Sequence, residues 1–198
     1  MKPIKPLKIG LPFTGGEFVI SQAFFGVHSH KGHPESEYAV DIAMPRNTPI
    51  VAVRDGIVMD TENDFSRSGW DMQYADEANI VRVLHDDKTM ALYAHLEPDT
   101  IAVSPGERVE QGQTLGFSGN TGFSSGPHLH FAVQANYGLK LQSLPIRFEG
   151  YPKEPQVGQI LVSDTPVSAN SSANKGTSTK QTSNKVNTIV EKLLELLN

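Results

Sequence analysis

The chain has 198 residues, no cysteine and a formal net charge of −5 at pH 7. This length suffices for one domain with a buried core plus appendages. The absence of cysteine excludes a disulfide scaffold, a thiol nucleophile and cysteine-based zinc sites. The acidic balance provides no basic field, so we expect no nucleic-acid partner.

We expect no signal peptide in the first residues of this sequence. Residues 1–8 are basic but lack the apolar run of a signal peptide. No stretch approaches the roughly 20 apolar residues of a membrane span, so we expect none.

Residues 13–25 are apolar with turn residues and predict a strand that leads into a loop. That loop, residues 27–37, contains three histidines: His28, His30 and His33. Residues 38–45 then form a near-continuous apolar run with one carboxylate, Asp41. An ionised Asp is costly to bury unless it is paired or bound to a cation. A metal ligand therefore explains Asp41 better than a strand-end residue that caps nearby amides.

Two hairpins are expected next. Residues 49–53 and 57–59 flank Asp55-Gly56, a pair typical of tight hairpin turns. Residues 79–84 and 89–96 alternate around a turn at 85–88. The second hairpin ends in Tyr-Ala-His-Leu, with His95 at the strand end.

Long loops and glycine turns separate these strands. The loop at 62–78 contains Trp70 and Tyr74, which are candidates either for lining a substrate groove or for packing on the core. Glycine-rich turns follow between 103 and 126.

The stretch that starts at residue 128 reads His-Leu-His-Phe-Ala-Val and predicts a strand. Because alternate side chains in a strand share a face, His128 and His130 point one way while Leu129 and Phe131 point into the core. Neutral imidazole is a common zinc ligand, so this face is a candidate metal site.

Many short strands with glycine and proline turns and no helical period predict an all-β fold, an antiparallel sandwich or open barrel with long loops. We assign it to residues 1–155. Residues 156–185 are polar and predict a flexible linker. Residues 186–198 carry an apolar stripe at helical spacing and predict a short amphipathic helix that docks on the core, self-associates or binds a partner.

Several motifs occur together in order: Tyr-Ala-Val-Asp at 38–41, Thr-Pro-Ile-Val-Ala at 48–52, Asp-Gly at 55–56, Tyr-Ala-His-Leu at 93–96, Gly-Gln at 112–113, Gly-Asn-Thr-Gly at 119–122 and Gly-Pro-His-Leu-His-Phe at 126–131. Over roughly residues 20–135 the chain resembles the lysostaphin-type peptidoglycan metalloendopeptidases. The resemblance implies Asp41 and His130 as zinc ligands, with His95 and His128 as catalytic residues.

The first ligand departs from the family's common pattern, because Glu37 stands four residues before Asp41 where that pattern has a histidine. Ser29-His30 resembles a second pattern within the family. We therefore predict His30 as the first ligand, with His33 and then His28 as alternatives. Glu37 as a ligand would make an unusual site with two carboxylates.

Two histidines and one aspartate leave the fourth tetrahedral position of zinc open for water, as in catalytic zinc sites. The chain has no His-Glu-x-x-His motif, so His95 and His128 are the groups available to move protons and stabilise an oxyanion. The resemblance implies a zinc-dependent endopeptidase that cleaves peptidoglycan stems or cross-links in the cell envelope or outside the cell.

Two other functions are considered. A non-catalytic peptidoglycan-binding or activator module on the same fold would not need the four residues Asp41, His95, His128 and His130. A biotinyl or lipoyl carrier domain is suggested by residues 106–115, but such domains need a lysine at a hairpin tip between small or methionine residues. Lys88, in Asp-Asp-Lys-Thr, does not fit that requirement.

Overall fold

The computed structural model describes residues 5–138 and 140–164. Within them the chain forms fifteen strands: β1 (Leu7–Ile9), β2 (Gly16–Gln22), β3 (Val40–Ala43), β4 (Pro49–Val51), β5 (Gly56–Glu62), β6 (Ser68–Gly69), β7 (Ile80–Leu84), β8 (Thr89–Ala94), β9 (Arg108–Val109), β10 (Thr114–Phe117), β11 (Gly122–Phe123), β12 (His128–Asn136), β13 (Leu141–Ser143), β14 (Ile146–Phe148) and β15 (Ile160–Ser163). One short 3₁₀ helix covers Met72–Tyr74. The predicted all-β class is confirmed.

A nine-stranded antiparallel sheet is the main element of the fold. Its strand order is β15-β2-β3-β12-β8-β7-β5-β9, and β13 pairs with the far end of β12. The longest strand, β12, lies between β3 and β8 near the middle of this order. Side chains at the start of β12 therefore have neighbours from two other strands, which is how residues distant in sequence meet.

The core follows the alternation expected of β12. Leu129 and Phe131 are fully buried, whereas His128 and His130 are only partly buried on the other face. Three smaller strand pairs complete the fold: β1 with β14, β4 with β10, and β6 with β11. Buried residues of the first two pairs, such as Ile50 and Phe148, belong to the same apolar cluster as Phe131. One core therefore supports the large sheet and both pairs.

The hairpin predicted around residues 85–88 is confirmed. β7 and β8 pair antiparallel from Ile80↔Ala94 to Leu84↔Met90. Lys88 adopts a φ of 68° in the turn, and its amide donates to the carbonyl of His85.

The hairpin predicted around Asp55-Gly56 is wrong. β4 pairs with β10, and β5 pairs with β7 and β9, so the two strands flanking this dipeptide are not partners. The Asp55 carboxylate instead accepts a hydrogen bond from the Gln111 amide. A Cβ on Gly56 would lie 2.5 Å from the carbonyl oxygen of Leu84. Close approach of neighbouring backbone, rather than a hairpin turn, therefore explains this glycine.

The sheet continues past the boundary predicted at residue 155. β15 lies inside the segment assigned to the polar linker, pairs with β2, and buries Leu161. The rest of the predicted linker, from 165, and the predicted helix at 186–198 lie outside the described residues. No helix in the described part of the chain has the length and apolar content that a membrane crossing requires.

Candidate metal centre

Three neighbouring strands bring the candidate residues into one row. On β3 and β12, Asp41 is paired with His130, and His130 is also paired with Ala94 on β8. His128 lies two residues earlier on the same face of β12, opposite Ala43. His95 immediately follows β8. Antiparallel pairing thus assembles a carboxylate and three imidazoles from segments more than 30 residues apart.

The tightest group consists of His30, Asp41 and His130. Asp41 Oδ1 lies 2.8 Å from His130 Nδ1 and 3.2 Å from His30 Nε2. One ligand atom from each residue lies within 4.8 Å of the other two. Among the described residues, this is the one set of three histidine or carboxylate side chains with that spacing.

The loop before β3 brings His30, rather than its neighbours, to Asp41. The carbonyl of Gly26 accepts hydrogen bonds from the amides of His30 and Lys31, and this tight turn directs the fully buried His30 inward.

The other three candidates for the first ligand lie elsewhere. The His33 side chain is 60% exposed, and its nearest carboxylate is Glu35. The ring of His28 packs against Trp70. Glu37 contributes a backbone carbonyl that accepts from the Phe25 amide.

His95 and His128 stand side by side next to this group. Their ring centroids are 4.5 Å apart, and the His95 ring is 5.9 Å from that of His130. His128 Nε2 lies 4.0 Å from Asp41 Oδ1. His95 adopts a φ of 64°, a left-handed conformation that costs a non-glycine residue roughly 1–3 kcal/mol and is found disproportionately at functional sites.

Backbone carbonyls fix the tautomers of three of the histidines. His30 Nδ1 lies 2.9 Å from the carbonyl oxygen of Ala23. His95 Nδ1 lies 2.6 Å from that of Thr121, and His128 Nδ1 lies 2.8 Å from that of Gly126. A carbonyl oxygen can only accept, so each Nδ1 carries the proton. In a neutral ring Nε2 then keeps its lone pair, free to bind a metal or accept a proton.

Burial and neighbouring side chains shift the pKa values of Asp41, His95 and His30. Burial alone would raise the pKa of Asp41, but hydrogen bonds from His130 and His30 and the charges of His130 and His128 hold it well below its usual range. Burial, reinforced by His128 and His130, lowers the pKa of His95 to about 3. Burial also opposes a charge on His30, yet its hydrogen bond to Asp41 and the Asp41 charge raise the pKa.

This donor set fits zinc. Two imidazole nitrogens and one carboxylate oxygen are ordinary zinc ligands, and three protein ligands leave a tetrahedral position open. His30 presents Nε2 because Nδ1 is held by Ala23, and His130 presents Nδ1 toward Asp41 Oδ1. A backbone partner on the non-ligating nitrogen of a histidine is a regular feature of zinc sites.

Sequence reasoning missed two supporting residues. Gln22, the last residue of β2, donates from Nε2 to Asp41 Oδ2 at 2.6 Å. Asn79 is buried, and its Oδ1 accepts a hydrogen bond from the Phe65 backbone amide. Its Nδ2 donates to the Leu96 carbonyl, and its backbone amide donates to Thr121 Oγ1. Both are polar residues at the ends of apolar runs, a pattern that reveals no role without the neighbouring strands.

Aromatic side chains flank the site. Trp70 is 58% exposed and stacks on Phe123 with ring centroids 5.0 Å apart. Tyr74, in the same loop, lies under Gly69 and beneath the Arg67 guanidinium. Trp70 is therefore exposed and contacts His28 of the loop that bears His30, whereas Tyr74 packs within its own loop.

About half of this chain aligns with each of two named endopeptidases. It is 41% identical over 93 residues to the peptidoglycan DD-endopeptidase ShyA of Vibrio cholerae, covering 47% of this chain and 19% of ShyA. It is 36% identical over 101 residues to the glycyl-glycine endopeptidase ALE-1 of Staphylococcus capitis, covering 51% of this chain and 25% of ALE-1. The chain thus spans about a quarter or less of the length of these two relatives.

The crystal structure of the catalytic domain of lysostaphin from Staphylococcus simulans aligns with 66% of this chain and 88% of that domain, at 26% identity and a TM-score of 0.45. The family model for peptidase family M23 matches residues 35–141, more than half of the chain, including Asp41, His95, His128 and His130. This match confirms the resemblance found in the sequence: the chain belongs to peptidase family M23.

Proposed function

We propose that this protein is a zinc-dependent endopeptidase that hydrolyses peptide bonds in peptidoglycan. The observation that carries the proposal is the pair of imidazoles, His95 and His128, beside a compact group of three side chains that can hold a metal. A structural zinc site is closed by a fourth protein ligand, whereas this group of three leaves one position open. Two further histidines with their Nε2 atoms free are what a hydrolytic site requires for moving protons.

In this proposal His30, Asp41 and His130 hold the metal. The chemistry that zinc supplies in such a site is Lewis acidity, which makes water nucleophilic near neutral pH and polarises a carbonyl. Asp41 contributes Oδ1, which faces both histidines, and its low pKa keeps it ionised across the physiological range.

His95 and His128 handle the protons. Each donates its Nδ1 hydrogen to a backbone carbonyl and so keeps Nε2 as an acceptor for the proton of the attacking water. The imidazolium formed in this way donates that proton to the leaving amine nitrogen, which returns the ring to its neutral form as the peptide bond breaks. With their rings 4.5 Å apart, both can reach one substrate carbonyl.

The substrate class follows from the relatives. ShyA is named a peptidoglycan DD-endopeptidase and ALE-1 a glycyl-glycine endopeptidase, so the two matched proteins are named for different peptide bonds. A peptidoglycan substrate implies that the protein acts in the cell envelope or outside the cell. We propose that the exposed Trp70, stacked on Phe123, forms one wall of the groove in which the peptide lies.

The test is solubilisation of purified peptidoglycan by the protein untreated, chelator-treated and zinc-restored, with His130→Ala in parallel. We expect loss with chelator, recovery with zinc and an inactive variant, and mass spectrometry of the released fragments identifies the bond. Tight binding to peptidoglycan without turnover in any condition would instead favour the non-catalytic binding module. Absence of both bound zinc and turnover would refute the enzyme proposal.

A further inference from the structure

A buried glutamine outside the predicted ligand set contacts the Asp41 carboxylate. Gln22 is 7% exposed, and its Nε2 lies 2.6 Å from Asp41 Oδ2 and 2.9 Å from Ser29 Oγ. Its Oε1 accepts a hydrogen bond from the His28 amide at 3.0 Å. A carboxylate can only accept and a backbone amide can only donate, so these partners fix the orientation of the Gln22 amide.

The end of β2 is shaped to bring Gln22 to this position. The register of β2 against β3 shifts between Ile20 and Gln22, so that Gln22 lies directly opposite Asp41. The residue inside this bulge, Ser21, donates through Oγ to the Asp41 carbonyl. Bulges commonly re-aim side chains next to functional sites.

The loop also leaves room for this side chain. A Cβ on Gly26 would lie 2.2 Å from Gln22 Cγ, so no other residue type fits there without a rearrangement. The Gly26 carbonyl, in turn, holds the amides of His30 and Lys31. The turn that carries His30 is therefore packed directly against Gln22.

The two oxygens of Asp41 consequently have different partners. Oδ1 faces His30 and His130, whereas Oδ2 is taken by Gln22. We propose that Gln22 is a positioning residue for the metal centre, an inference that rests on the zinc site proposed above. It holds Asp41 so that Oδ1 alone is presented to the metal, and through Ser29 and His28 it ties the loop bearing His30 to the same carboxylate.

The variant that tests this is Gln22→Met in the 198-residue chain, because methionine has nearly the same length and no hydrogen-bond donor. Residues that orient a metal ligand typically contribute about 10-fold to 100-fold in metal affinity. We expect the zinc dissociation constant, measured by competition with a chelator, to rise by that factor. We also expect the visible absorption spectrum of the cobalt(II)-substituted protein to change, because carboxylate coordination is no longer restricted to one oxygen.

Gln134→Met is the matched control. Gln134 is equally buried, at 2% exposure, but it donates to the Glu35 carbonyl and does not contact Asp41. An equal loss of zinc affinity in this control would show general destabilisation and overturn the proposal. The proposal would also be overturned if Gln22→Met bound zinc as tightly as the wild type and gave an unchanged cobalt(II) spectrum.

If Gln22→Met does not fold, Gln22→Asn decides the question. Its amide is one carbon too short to reach Asp41 and Ser29 together, so the same loss of affinity is expected, and wild-type affinity overturns the inference. A wild-type protein that binds no zinc refutes the proposed function itself, and with it the inference. If the wild type binds zinc and substitution of Gln22 leaves the zinc affinity unchanged, only the inference about Gln22 is refuted.

Discussion

Each end of the β7–β8 hairpin carries a histidine whose pKa is lowered by burial: His85 at the turn and His95 just beyond β8. His85 is 3% exposed, and its Nδ1 lies 2.9 Å from Thr89 Oγ1. His95 is held through Nδ1 by the Thr121 carbonyl. The immediate environment of the two rings is therefore similar.

The two ends differ in what the neighbouring strands contribute. Beside His95, β12 supplies His128 and His130, and β3 supplies Asp41. Beside His85, the charged groups are Arg54, Asp86 and Asp87, and Arg54 is paired with Asp87. A buried neutral histidine thus becomes part of a candidate site only where ligands from other strands converge on it.

The largest effect is expected from removing the carboxylate of the proposed metal centre. Asp41→Asn keeps the shape of the side chain but loses the charge, so we expect zinc affinity to fall more than about 100-fold and turnover to be abolished. Zinc stoichiometry and chelator competition measure this. Asp86→Asn, at the opposite end of the hairpin, is the control and should bind zinc normally. Stoichiometric zinc in Asp41→Asn would contradict the assignment of this ligand.

The next effect separates catalysis from metal binding. We expect His95→Ala and His128→Ala to retain zinc while kcat falls about 10²-fold to 10⁴-fold, the usual contribution of general acid–base catalysis. His33→Ala, which changes an exposed histidine of the preceding loop, should keep full kcat. Loss of zinc in either of the first two variants would mean that the residue supports the metal instead of moving protons.

A smaller effect is expected at Trp70, the proposed wall of the substrate groove. Trp70→Ala should raise KM about twofold to tenfold with little change in kcat, the size of one aromatic contact. Met72→Ala, which removes another exposed apolar side chain from the same loop, should leave both constants unchanged. A fall in kcat with unchanged KM would contradict the proposed role of Trp70 in the substrate groove.

The smallest effect concerns stability at the His85 end. Burial and Arg54 lower the pKa of His85, against the opposing charges of Asp87 and Asp86. Because the unfolded chain then binds the proton more readily, this residue's contribution is complete above about pH 6.5 and is lost as pH falls through the folded-state pKa. The pKa of Asp87 is also lowered, but its effect on the free energy of unfolding falls at a more acidic pH, below the pKa of an ordinary carboxyl group.

Denaturant unfolding at pH 7.5 and pH 5.5 measures this contribution. The free energy of unfolding should fall less between these two pH values in His85→Gln than in the wild type. Comparing the two proteins cancels the titration of His30 and of other groups that they share. An identical pH dependence in both proteins would show that His85 titrates normally.

Local patterns in the sequence were sufficient for elements whose partners are adjacent. The alternation from His128 to Phe131 predicts which side chains face the core, and the turn at 85–88 predicts the β7–β8 pairing. The hairpin predicted at Asp55-Gly56 was wrong because β4 pairs with β10, which lies about 60 residues further along the chain. Hairpin propensity is local and carries no information about such a distant partner.

The candidate site shows the same limit. Asp41 stands out in sequence because an apolar run makes an isolated charge expensive. Spacing alone does not distinguish His28, His30 and His33, since all three belong to one loop. Which of the three histidines lies next to Asp41 depends on the turn at Gly26, and the Gln22 side chain packs against that turn. Both are three-dimensional contacts that a linear motif does not contain.

The backbone acceptors of the histidine Nδ1 hydrogens have a consequence for how the protein tolerates mutation. Any residue type at positions 23, 121 or 126 presents the same carbonyl, and nothing lies within 4 Å of a Cβ placed on Gly126. A substitution at position 126 therefore leaves the tautomer of His128 intact. The Asp41 carboxylate has no such protection, because its Oδ2 partner is a side chain. Mutational robustness is thus unevenly distributed across the site, with the histidines insulated by the fold and the aspartate dependent on one neighbouring residue.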